Sequence, residues 1–436
     1  MTHTALPKGP RSALPQLLHM RDPFPLMVAL AWDYEDPMTL PILGAGKAIV
    51  MWKPDGVKAF FTADPDTFVP GANEALALIL GRGSIFLMSG PEHRRARKLL
   101  MPPFHGDRMR AYGEVMRAAA LRWMREWRPG ERFTVLRTTQ GITLDVIIEA
   151  LFGVQEPERI RQFHHDILSV VDSFNPLIAV FKFLQRSFGG YGPWAKFQRN
   201  TAALNASLRE LVADKRASPG DDILSLLLAV RDEDGDTLSE QEILEQLLSF
   251  IVAGHETTAT SLAWAMYLLH RNPPVLARLR EALGALGEAA SPDAVARLPL
   301  LDAVCQETLR LYPPVPMVTR KLTRDFDLAG YTIPAGMTVG AAAYMAHVRP
   351  ETFPDPFELR PDRFLERTYS PFEYMPFGGG ARRCLGAAFA MYEMKIVLAA
   401  MLSAGPLQLD EPKPVRNVFR IGTYGPETGV RMTLQG

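Results

Sequence analysis

The chain has 436 residues, of which 47% are hydrophobic and 22% charged, and its 48 basic and 48 acidic side chains cancel. This neutral, ordinary globular composition argues against a partner held by overall charge, such as nucleic acid or an anionic membrane surface. Two cysteines are too few for a disulfide scaffold or a four-cysteine metal site, and the N-terminal residues have no signal-peptide core. We therefore expect a cytoplasmic protein without a membrane anchor.

The N-terminal part, about 20–70, is predicted to consist of β-rich and loop segments. Its apolar run at 24–32 is interrupted by Pro25 and is much shorter than the ~20 residues that span a bilayer. Helical periodicity then dominates from about 90 to 312.

A long helix is predicted over 240–271. The apolar residues of its buried face recur at spacings of three and four: Leu244, Leu247, Leu248 and Ile251. Ser239 and Glu242 have the spacing of a capping box, which marks the start of a helix.

The C-terminal part alternates between element types. A helix over about 296–311 must end before Pro313 and Pro314, and the Gly- and Pro-punctuated segment 326–343 predicts short strands. A proline-rich irregular loop over 353–364 and an apolar helix over 385–402 follow. With β-rich and loop segments at about 315–345 and 405–436, we predict a single domain that is mainly α with a smaller β-rich part.

Cys384 lies in an unusual setting, the stretch FGGGARRCLG from Phe377 to Gly386. A thiolate is favoured there because two arginines, Arg382 and Arg383, and the start of a helix supply positive potential. The glycines remove side chains, so that a flat, bulky group could approach the backbone. A thiolate presented on a glycine loop to a large planar partner suggests a haem iron.

The spacing of this stretch resembles the cysteine loop F-x-x-G-x-R-x-C-x-G of the cytochrome P450 family. Its fixed positions here are Phe377, Gly380, Arg382, Cys384 and Gly386. Four further segments resemble family motifs in the same order: GPEHRRARKLL at 90–100, AGHETT at 253–258, ETLR at 307–310 and RPDRF at 360–364. The resemblance implies a cytochrome P450 fold, haem b as cofactor and Cys384 as the iron ligand.

The same resemblance assigns roles to other residues. It implies that the haem propionates are bound by His93, Arg97, Arg320 and Arg382. It implies a buried structural network of Glu307, Arg310 and Arg363 that locks the cysteine loop, and it gives Glu256 and Thr257 the delivery of protons during oxygen activation.

The substrate is expected to be lipophilic. The positions that resemble the family's distal pocket are apolar or small: Phe86, Ala253, Val315, Pro316, Met317, Val318 and Ile421. We expect hydroxylation of a terpenoid, steroid or fatty acid, with ring systems favoured because no charged residue resembles a carboxylate clamp. The segment 188–194 is interpreted as either a substrate-entry lid or a plain surface loop.

Electrons are expected from outside the chain, because the sequence contains no flavin or iron–sulfur domain. A ferredoxin or flavodoxin with its NAD(P)H-dependent reductase would suit a basic patch on a neutral protein. The residues proposed for that patch are Arg94, Arg95, Arg97, Lys98, Arg382, Arg383 and Lys395.

Several alternatives stay open at this point: a peroxide-driven peroxygenase, a haem protein that binds a gas without catalysis, and a non-haem metal hydrolase. A zinc peptidase is excluded, because the second histidine of H-E-x-x-H is replaced by Ala259. Cys305, inside a predicted helix, is interpreted as a packing residue. His164 and His165 are expected on a solvated helix face.

Overall fold

The computed structural model describes residues 5–42, 46–71, 74–104, 108–174, 178, 185–187, 189–287, 289–420 and 422–436. Residue contacts divide the chain into two compact units. The first comprises Met1–Gly71, Met109–Ile142 and Glu256–Gly436, and the second comprises Ala72–Arg108 and Thr143–His255. A single domain therefore stays a prediction.

Helices form most of the structure. Up to the long helix they are α1 Leu14–Leu18, α2 Phe24–Asp33, α3 Pro54–Thr62, α4 Glu74–Leu80, α5 Gly90–Leu100, α6 Arg108–Met124, α7 Val135–Val146, α8 Pro157–Ser173, α9 Pro193–Ala217, α10 Ile223–Ala229 and α11 Glu240–Arg271. After it they are α12 Pro273–Gly284, α13 Pro292–Ala296, α14 Pro299–Leu311, α15 Ala343–His347, α16 Asp362–Glu366 and α17 Ala387–Leu402.

All described strands belong to the first unit. They are β1 Met38–Ile42, β2 Gly46–Met51, β3 Phe68–Pro70, β4 Arg132–Thr134, β5 Val318–Leu322, β6 Phe326–Leu328, β7 Tyr331–Ile333, β8 Thr338–Ala341, β9 Leu407–Leu409, β10 Asn417–Phe419, β11 Tyr424–Pro426 and β12 Arg431–Leu434. The main sheet has the order β1-β2-β8-β5-β3, in which only β2 and β8 are parallel. A three-stranded sheet β4-β12-β9 and two hairpins, β6-β7 and β10-β11, complete the β part.

The main sheet forms the core of the first unit with α3. Trp52, Phe60 and Phe68 are almost completely buried between them. The burial of such large side chains contributes the bulk of the packing energy, at about 1.5–3 kcal/mol each. This core positions β5 and α3, the two elements that approach the cysteine loop.

The predicted helices and strands agree with the structure in most respects. The long helix α11 has the predicted bounds, and its capping box is formed: Glu242 Oε2 accepts from the Ser239 N–H at 2.8 Å, and Ser239 Oγ accepts from the Glu242 N–H at 3.3 Å. The second helix begins later than predicted, at Pro299 rather than 296, because α13 and a turn occupy the preceding residues. The loop at 353–364 ends in α16, which begins at Asp362.

The second unit is helical in its described residues. Part of the segment 188–194 belongs to it, with a turn at 189–190 and the start of α9 at Pro193, whereas residue 188 lies outside the described residues. No described helix is both long and apolar enough to cross a bilayer.

Candidate active site

The cysteine loop is closed by backbone hydrogen bonds. The Cys384 N–H donates to the Phe377 carbonyl at 2.9 Å, and the Arg383 N–H donates to the Gly380 carbonyl at 3.1 Å across a short 3₁₀ turn. Cys384 is exposed and lies three residues before α17 begins. The loop thus presents a sulfur at the N-terminal end of a helix, where the free N–H groups favour negative charge.

Two glycines of the loop are required by α3. Gly380 has a φ of +65°, and a Cβ built on it would lie 2.1 Å from the Phe61 carbonyl oxygen. A Cβ on Gly379 would lie 2.5 Å from the Phe61 ring. Any side chain at these two positions would therefore force the loop away from α3.

Gly386 is a different case. Its φ of −87° suits any residue, and a Cβ built there would meet no described atom within 4 Å. Packing of the described chain therefore does not require a glycine at this position. A flat ligand that passes close to the backbone would require one, which fits the haem expected from the sequence.

Arg320 is a buried cation beside the cysteine loop. Its side chain, 7% exposed, stacks over Phe60 with the guanidinium carbon 4.7 Å from the ring centroid, and it donates to the Gly379 carbonyl at 3.4 Å. Burial, together with the nearby charge of Arg382, lowers the pKa of Arg320 to about 10. No carboxylate among the described residues forms an ion pair with Arg320.

The buried cation Arg320 beside the cysteine loop calls for an anionic ligand, because a buried cation is stable only when it is paired. The two propionates of a haem have the right charge and hydrogen-bonding capacity. The donor set of the first unit therefore fits haem b: one sulfur, two cations and an open glycine.

His93 and Arg97 belong to the second unit. Both lie on α5, four residues apart and thus on one face, with His93 buried and Arg97 half-buried. This arrangement agrees with the shared face that their spacing predicts.

Cys305, the other cysteine, is a packing residue, as expected. It is fully buried in α14, and burial raises the pKa of its thiol. Cys305 therefore does not compete with Cys384 as a metal ligand.

The segment AGHETT lies within the unbroken helix α11. Both carboxylate oxygens of Glu256 are hydrogen-bonded: Oε2 accepts from Gln140 Nε2 at 2.8 Å, and Oε1 accepts from Arg420 Nε at 3.1 Å. The Thr257 carbonyl accepts from the hydroxyls of Thr260 at 3.0 Å and Ser261 at 2.8 Å. The structure thus holds both residues in defined places on the helix.

No pattern in the sequence predicts Gln140 and Arg420 at this site. They are 116 and 164 positions from Glu256 in the chain. Neither belongs to a motif, so only the folded structure brings them to the acid.

His255, the neighbour of Glu256, is part of the second unit. Its Nδ1 lies 3.0 Å from the Thr143 hydroxyl, and burial, together with the nearby His164, lowers its pKa to about 4. His255 is therefore uncharged at neutral pH. No three-ligand metal set of His, Cys, Asp and Glu occurs in the part of the chain that the structure describes.

His164 does not lie on a solvated face, so this expectation was wrong. Its Nε2 contacts Asp145 Oδ1 at 2.6 Å, and both side chains are largely buried. Only His165 is exposed. The polar sequence around the pair hid the inward turn of His164, because its partner lies on another helix.

The network of Glu307, Arg310 and Arg363 is present and buried. Arg310 donates to Glu307 with Nε at 2.7 Å and Nη2 at 2.9 Å, and Arg363 Nε donates to Glu307 Oε1 at 3.0 Å. Arg310 Nη1 also donates to the carbonyls of His347 and Pro356 at 2.9 and 2.7 Å. One carboxylate thus anchors two guanidiniums and the backbone around them.

His347 extends this network toward the cysteine loop. Its Nε2 accepts from the Met375 N–H at 3.0 Å, and burial lowers its pKa to about 3, so that it stays a neutral acceptor. The Tyr374 hydroxyl donates to the Gln306 carbonyl at 2.9 Å. The chain just before Phe377 is therefore tied to α14 through Tyr374 and to α15 through Met375.

Ion pairs neutralise part of the predicted basic patch. Arg95 pairs with Asp232 at 2.6 Å, and Lys98 pairs with Glu233. Lys395 pairs with Asp302 at 2.9 Å and is largely buried. The acidic turn after α10 provides partners for Arg95 and Lys98 of α5, so that their charges are partly neutralised.

The predicted pocket residues differ in burial. Phe86, in the second unit, and Val315, in the first, are exposed large apolar side chains, whereas Pro316 is buried. The Val318 side chain lies 4.0 Å from the position of a Cβ on Gly378, next to the cysteine loop. Met317 packs against the core of the main sheet, Ala253 is half-buried on α11, and Ile421 lies outside the described residues.

Comparisons with known proteins agree with this geometry. The family model described as Cytochrome P450 matches residues 11–421. Cytochrome P450 135B1 of Mycobacterium tuberculosis is 35% identical over 443 residues, which cover 99% of this chain and 91% of that relative. Cytochrome P450 137 of the same species is 34% identical over 415 residues, which cover 94% and 85%.

Solved structures agree as well. Retinoic acid-bound cyanobacterial CYP120A1 superposes with a TM-score of 0.83 at 25% identity, covering 98% of this chain and 99% of that one. The haem domain of cytochrome P450DA gives a TM-score of 0.85 at 25% identity, with coverage of 98% and 97%.

Replacement of Glu307 by Gln should lower the free energy of unfolding by about 3–5 kcal/mol, because it leaves two buried guanidiniums without their charge partner. Denaturant unfolding measures this loss. The matched control is Glu366→Gln, which breaks the exposed pair with Arg360 and should cost less than about 1 kcal/mol. Equal losses in the two variants would contradict a stabilising role for the network.

Alanine at Gly386 and at Gly380 should act differently. Gly386→Ala should leave the unfolding midpoint unchanged and lower the haem-to-protein ratio of the purified protein, because its Cβ points into open space that a haem would need. Gly380→Ala should lower the midpoint itself, because strain and clash reduce the free energy of unfolding by about 1–3 kcal/mol. Gly284→Ala, which also meets no atom within 4 Å, is the control and should change neither quantity. Full haem content in Gly386→Ala would contradict this account of the loop.

Proposed function

The chain belongs to the cytochrome P450 family, and we propose that it hydroxylates a lipophilic small molecule with electrons from a ferredoxin or flavodoxin and its NAD(P)H-dependent reductase. As a member of that family it is a haem-thiolate monooxygenase that binds haem b and uses O₂. The observation that carries the proposal is the glycine loop that presents Cys384 beside the buried cation Arg320 and its neighbour Arg382.

We assign the haem contacts as follows. Cys384 is the iron ligand, Arg320, Arg382, His93 and Arg97 bind the propionates, and Phe377, Gly380 and Gly386 shape the loop. Haem b supplies the chemistry of oxygen activation when it is bound. The protein holds the haem in place, supplies the cations for its propionates and delivers the protons.

Thr257 and Glu256 are the proposed proton-delivering residues. The Thr257 hydroxyl can both donate and accept a hydrogen bond, so it can fix a water at the reaction site. Glu256 precedes it on α11 and can carry a proton from solvent to that water. The two roles are complementary, because the hydroxyl orients the water while the carboxyl exchanges the proton.

The substrate class is proposed from the apolar lining residues and one structural neighbour. The residues assigned to the lining are Phe86, Ala253, Val315, Pro316, Met317, Val318 and Ile421. CYP120A1, whose structure contains retinoic acid, shows that this fold accepts an isoprenoid with a ring. We therefore propose a terpenoid or steroid substrate, with a fatty acid as the second candidate.

The electron source is proposed from the extent of the family match. Residues 11–421 of this sequence are those of the haem domain, so the residues of a reductase have to come from outside it. A peroxide-driven peroxygenase is the main alternative, and a gas-binding haem protein is a second. The acid–hydroxyl pair of Glu256 and Thr257 favours O₂ activation, because peroxide already carries the protons that such a pair would deliver. A cytoplasmic location also stays a prediction.

Optical titration of the ferric protein tests the substrate proposal. Cyclic terpenes and steroids should move the Soret band to shorter wavelength, because a compact apolar ligand displaces water next to the haem. Fatty acids of graded length form the comparison set. A shift with the fatty acids alone would contradict the ring preference and indicate a long channel with a carboxylate contact.

Turnover with two electron sources tests the monooxygenase proposal. With NAD(P)H, ferredoxin and reductase, Thr257→Ala should form less product per NAD(P)H consumed, whereas peroxide-driven turnover should be unaffected by the substitution. Ser249→Ala, a hydroxyl two turns earlier on α11, is the control. Turnover by the unmodified protein with peroxide alone, and none with the electron donors, would favour the peroxygenase. Carbon monoxide binding with no organic turnover would favour the gas-binding protein.

A further inference from the structure

We propose that Trp264, Tyr312, Tyr344 and Tyr424 form a route by which an oxidising equivalent leaves the proposed reaction site for the protein surface, with Asp22 as the proton acceptor. Such a route protects the protein when oxygen activation is not followed by attack on a substrate. The inference rests on the proposed function, because the route begins beside the threonine that is proposed to deliver protons. All of its residues belong to the first unit.

Trp264 brings an oxidisable side chain to the helix of the proposed reaction site. It lies seven positions after Thr257 on α11, so the two residues share a face of the helix and are about 10 Å apart along its axis. The indole is completely buried, and its N–H has no hydrogen-bond acceptor in the described part of the chain. An oxidised indole with no base beside it keeps its proton, and the resulting radical cation readily takes an electron from a neighbouring phenol.

Tyr312 is the neighbour that can supply this electron. Its ring stacks on the indole of Trp264, with ring centroids 3.7 Å apart and an angle of 3° between the planes. Two parallel rings in van der Waals contact overlap strongly, and this overlap favours electron transfer between them. Tyr312 follows the last residue of α14 and precedes Pro313 and Pro314. The fixed φ angles of the two prolines limit the freedom of the phenol to leave the indole.

Two further tyrosines are bound to the short segment that follows Tyr312. The Tyr424 N–H donates to the Pro314 carbonyl at 2.9 Å, and the Tyr344 N–H donates to the Pro316 carbonyl at 3.1 Å. Residues that are distant in the sequence are thus gathered by one stretch of five residues, 312–316. The phenol that contacts the indole therefore has two other phenols close to it.

Residues at the start of α2 complete this aromatic cluster. Phe24 packs edge-on against both outer tyrosines, with ring centroids 4.3 Å from Tyr344 and 5.5 Å from Tyr424. The Phe24 N–H donates to Asp22 Oδ1 at 3.2 Å. Burial raises the pKa of all three phenols, and the negative charge of Asp22 raises each of them further. Burial also raises the pKa of the Asp22 carboxyl, which makes its carboxylate a better proton acceptor.

Tyr424 connects the cluster with solvent. Its ring packs edge-on against Phe419, with ring centroids 5.4 Å apart, and Phe419 is 53% exposed. Tyr424 itself is half-buried, whereas Trp264 and Tyr344 are buried. A soluble reductant can therefore meet the route at Tyr424.

Electrons and protons balance at each step of the route. Haem b, when bound, supplies the oxidant. Trp264 loses one electron to it and becomes a radical cation. Tyr312 returns one electron to the indole and gives its phenol proton to Asp22, so that a neutral tyrosyl radical and a protonated carboxyl remain.

The radical then moves through the cluster to Tyr424 by the same exchange. Each phenol that gives an electron also gives its proton to Asp22, and each radical that is reduced takes a proton back from it. A soluble one-electron reductant, such as ascorbate or a thiol, finally returns one electron to Tyr424, and Asp22 returns the last proton. All residues of the route are thereby restored.

Electron paramagnetic resonance of freeze-quenched samples tests the route. Ferric, haem-loaded protein is mixed with hydrogen peroxide in the absence of organic substrate, so that no electron donor is required. The unmodified protein should show a tyrosyl radical. Trp264→Phe retains an aromatic ring in the stack but is much harder to oxidise, so it should lose this signal, and its haem Soret band should bleach faster.

Tyr312→Phe is the second variant, because it retains the stack and removes only a hydroxyl. It should replace the tyrosyl signal by that of a tryptophan radical. Asp22→Asn should lower the yield of tyrosyl radical, because the phenols then lack their proton acceptor. A full tyrosyl signal in both variants would overturn the assigned route.

The matched control is Trp127→Phe. Trp127 is also buried, but it stacks on a phenylalanine, Phe133, with ring centroids 4.2 Å apart. This variant should keep both the tyrosyl signal and the bleaching rate of the unmodified protein. The same unchanged signal and rate in Trp264→Phe would overturn the inference, and so would the absence of a tyrosyl radical from the unmodified protein.

Failure of the proposed function gives a different result. An unchanged product yield per NAD(P)H in Thr257→Ala, or no electron-driven turnover in the unmodified protein, would overturn the proposed function. The radical measurement uses peroxide alone and still decides whether the aromatic route exists.

Discussion

The carboxylate of Glu307 is the interaction on which the candidate site depends. It is fully buried and accepts hydrogen bonds from Arg310 and Arg363, which are buried as well. Burial of three charges is costly unless every one is paired, so this cluster tolerates few other arrangements of the backbone that it binds. Through His347 it also anchors Met375, two residues before the cysteine loop begins. The position of the cysteine loop thus relies on a charge cluster that lies outside the loop.

Beside the cysteine loop, in contrast, a buried positive charge has no carboxylate partner among the described residues. Arg320 is buried beside aromatic rings and near Arg382, and no described carboxylate pairs with it. The charges around Glu307 are thus paired within the fold, whereas Arg320 has no counter-ion among the described residues and fits an anionic ligand.

Local patterns predicted the elements and motifs well, and long-range partners poorly. The period and the capping box gave the bounds of α11, and the spacing of Glu307 and Arg310 placed them on one face of α14. No spacing rule links Gln140 or Arg420 to Glu256, or Asp145 to His164, because their proximity comes from tertiary packing. The basic patch was overestimated for the same reason: the acidic partners of Arg95, Lys98 and Lys395 are distant in the chain.

The most direct test of the account is the optical spectrum of the reduced protein under carbon monoxide, compared between two cysteine variants. Cys384→Ser should lose the red-shifted Soret band that a thiolate ligand gives to haem. Cys305→Ser removes a buried sulfur of the same chain and should keep that band. Retention of the thiolate-type band in Cys384→Ser would contradict the account, because the loop would then not provide the iron ligand.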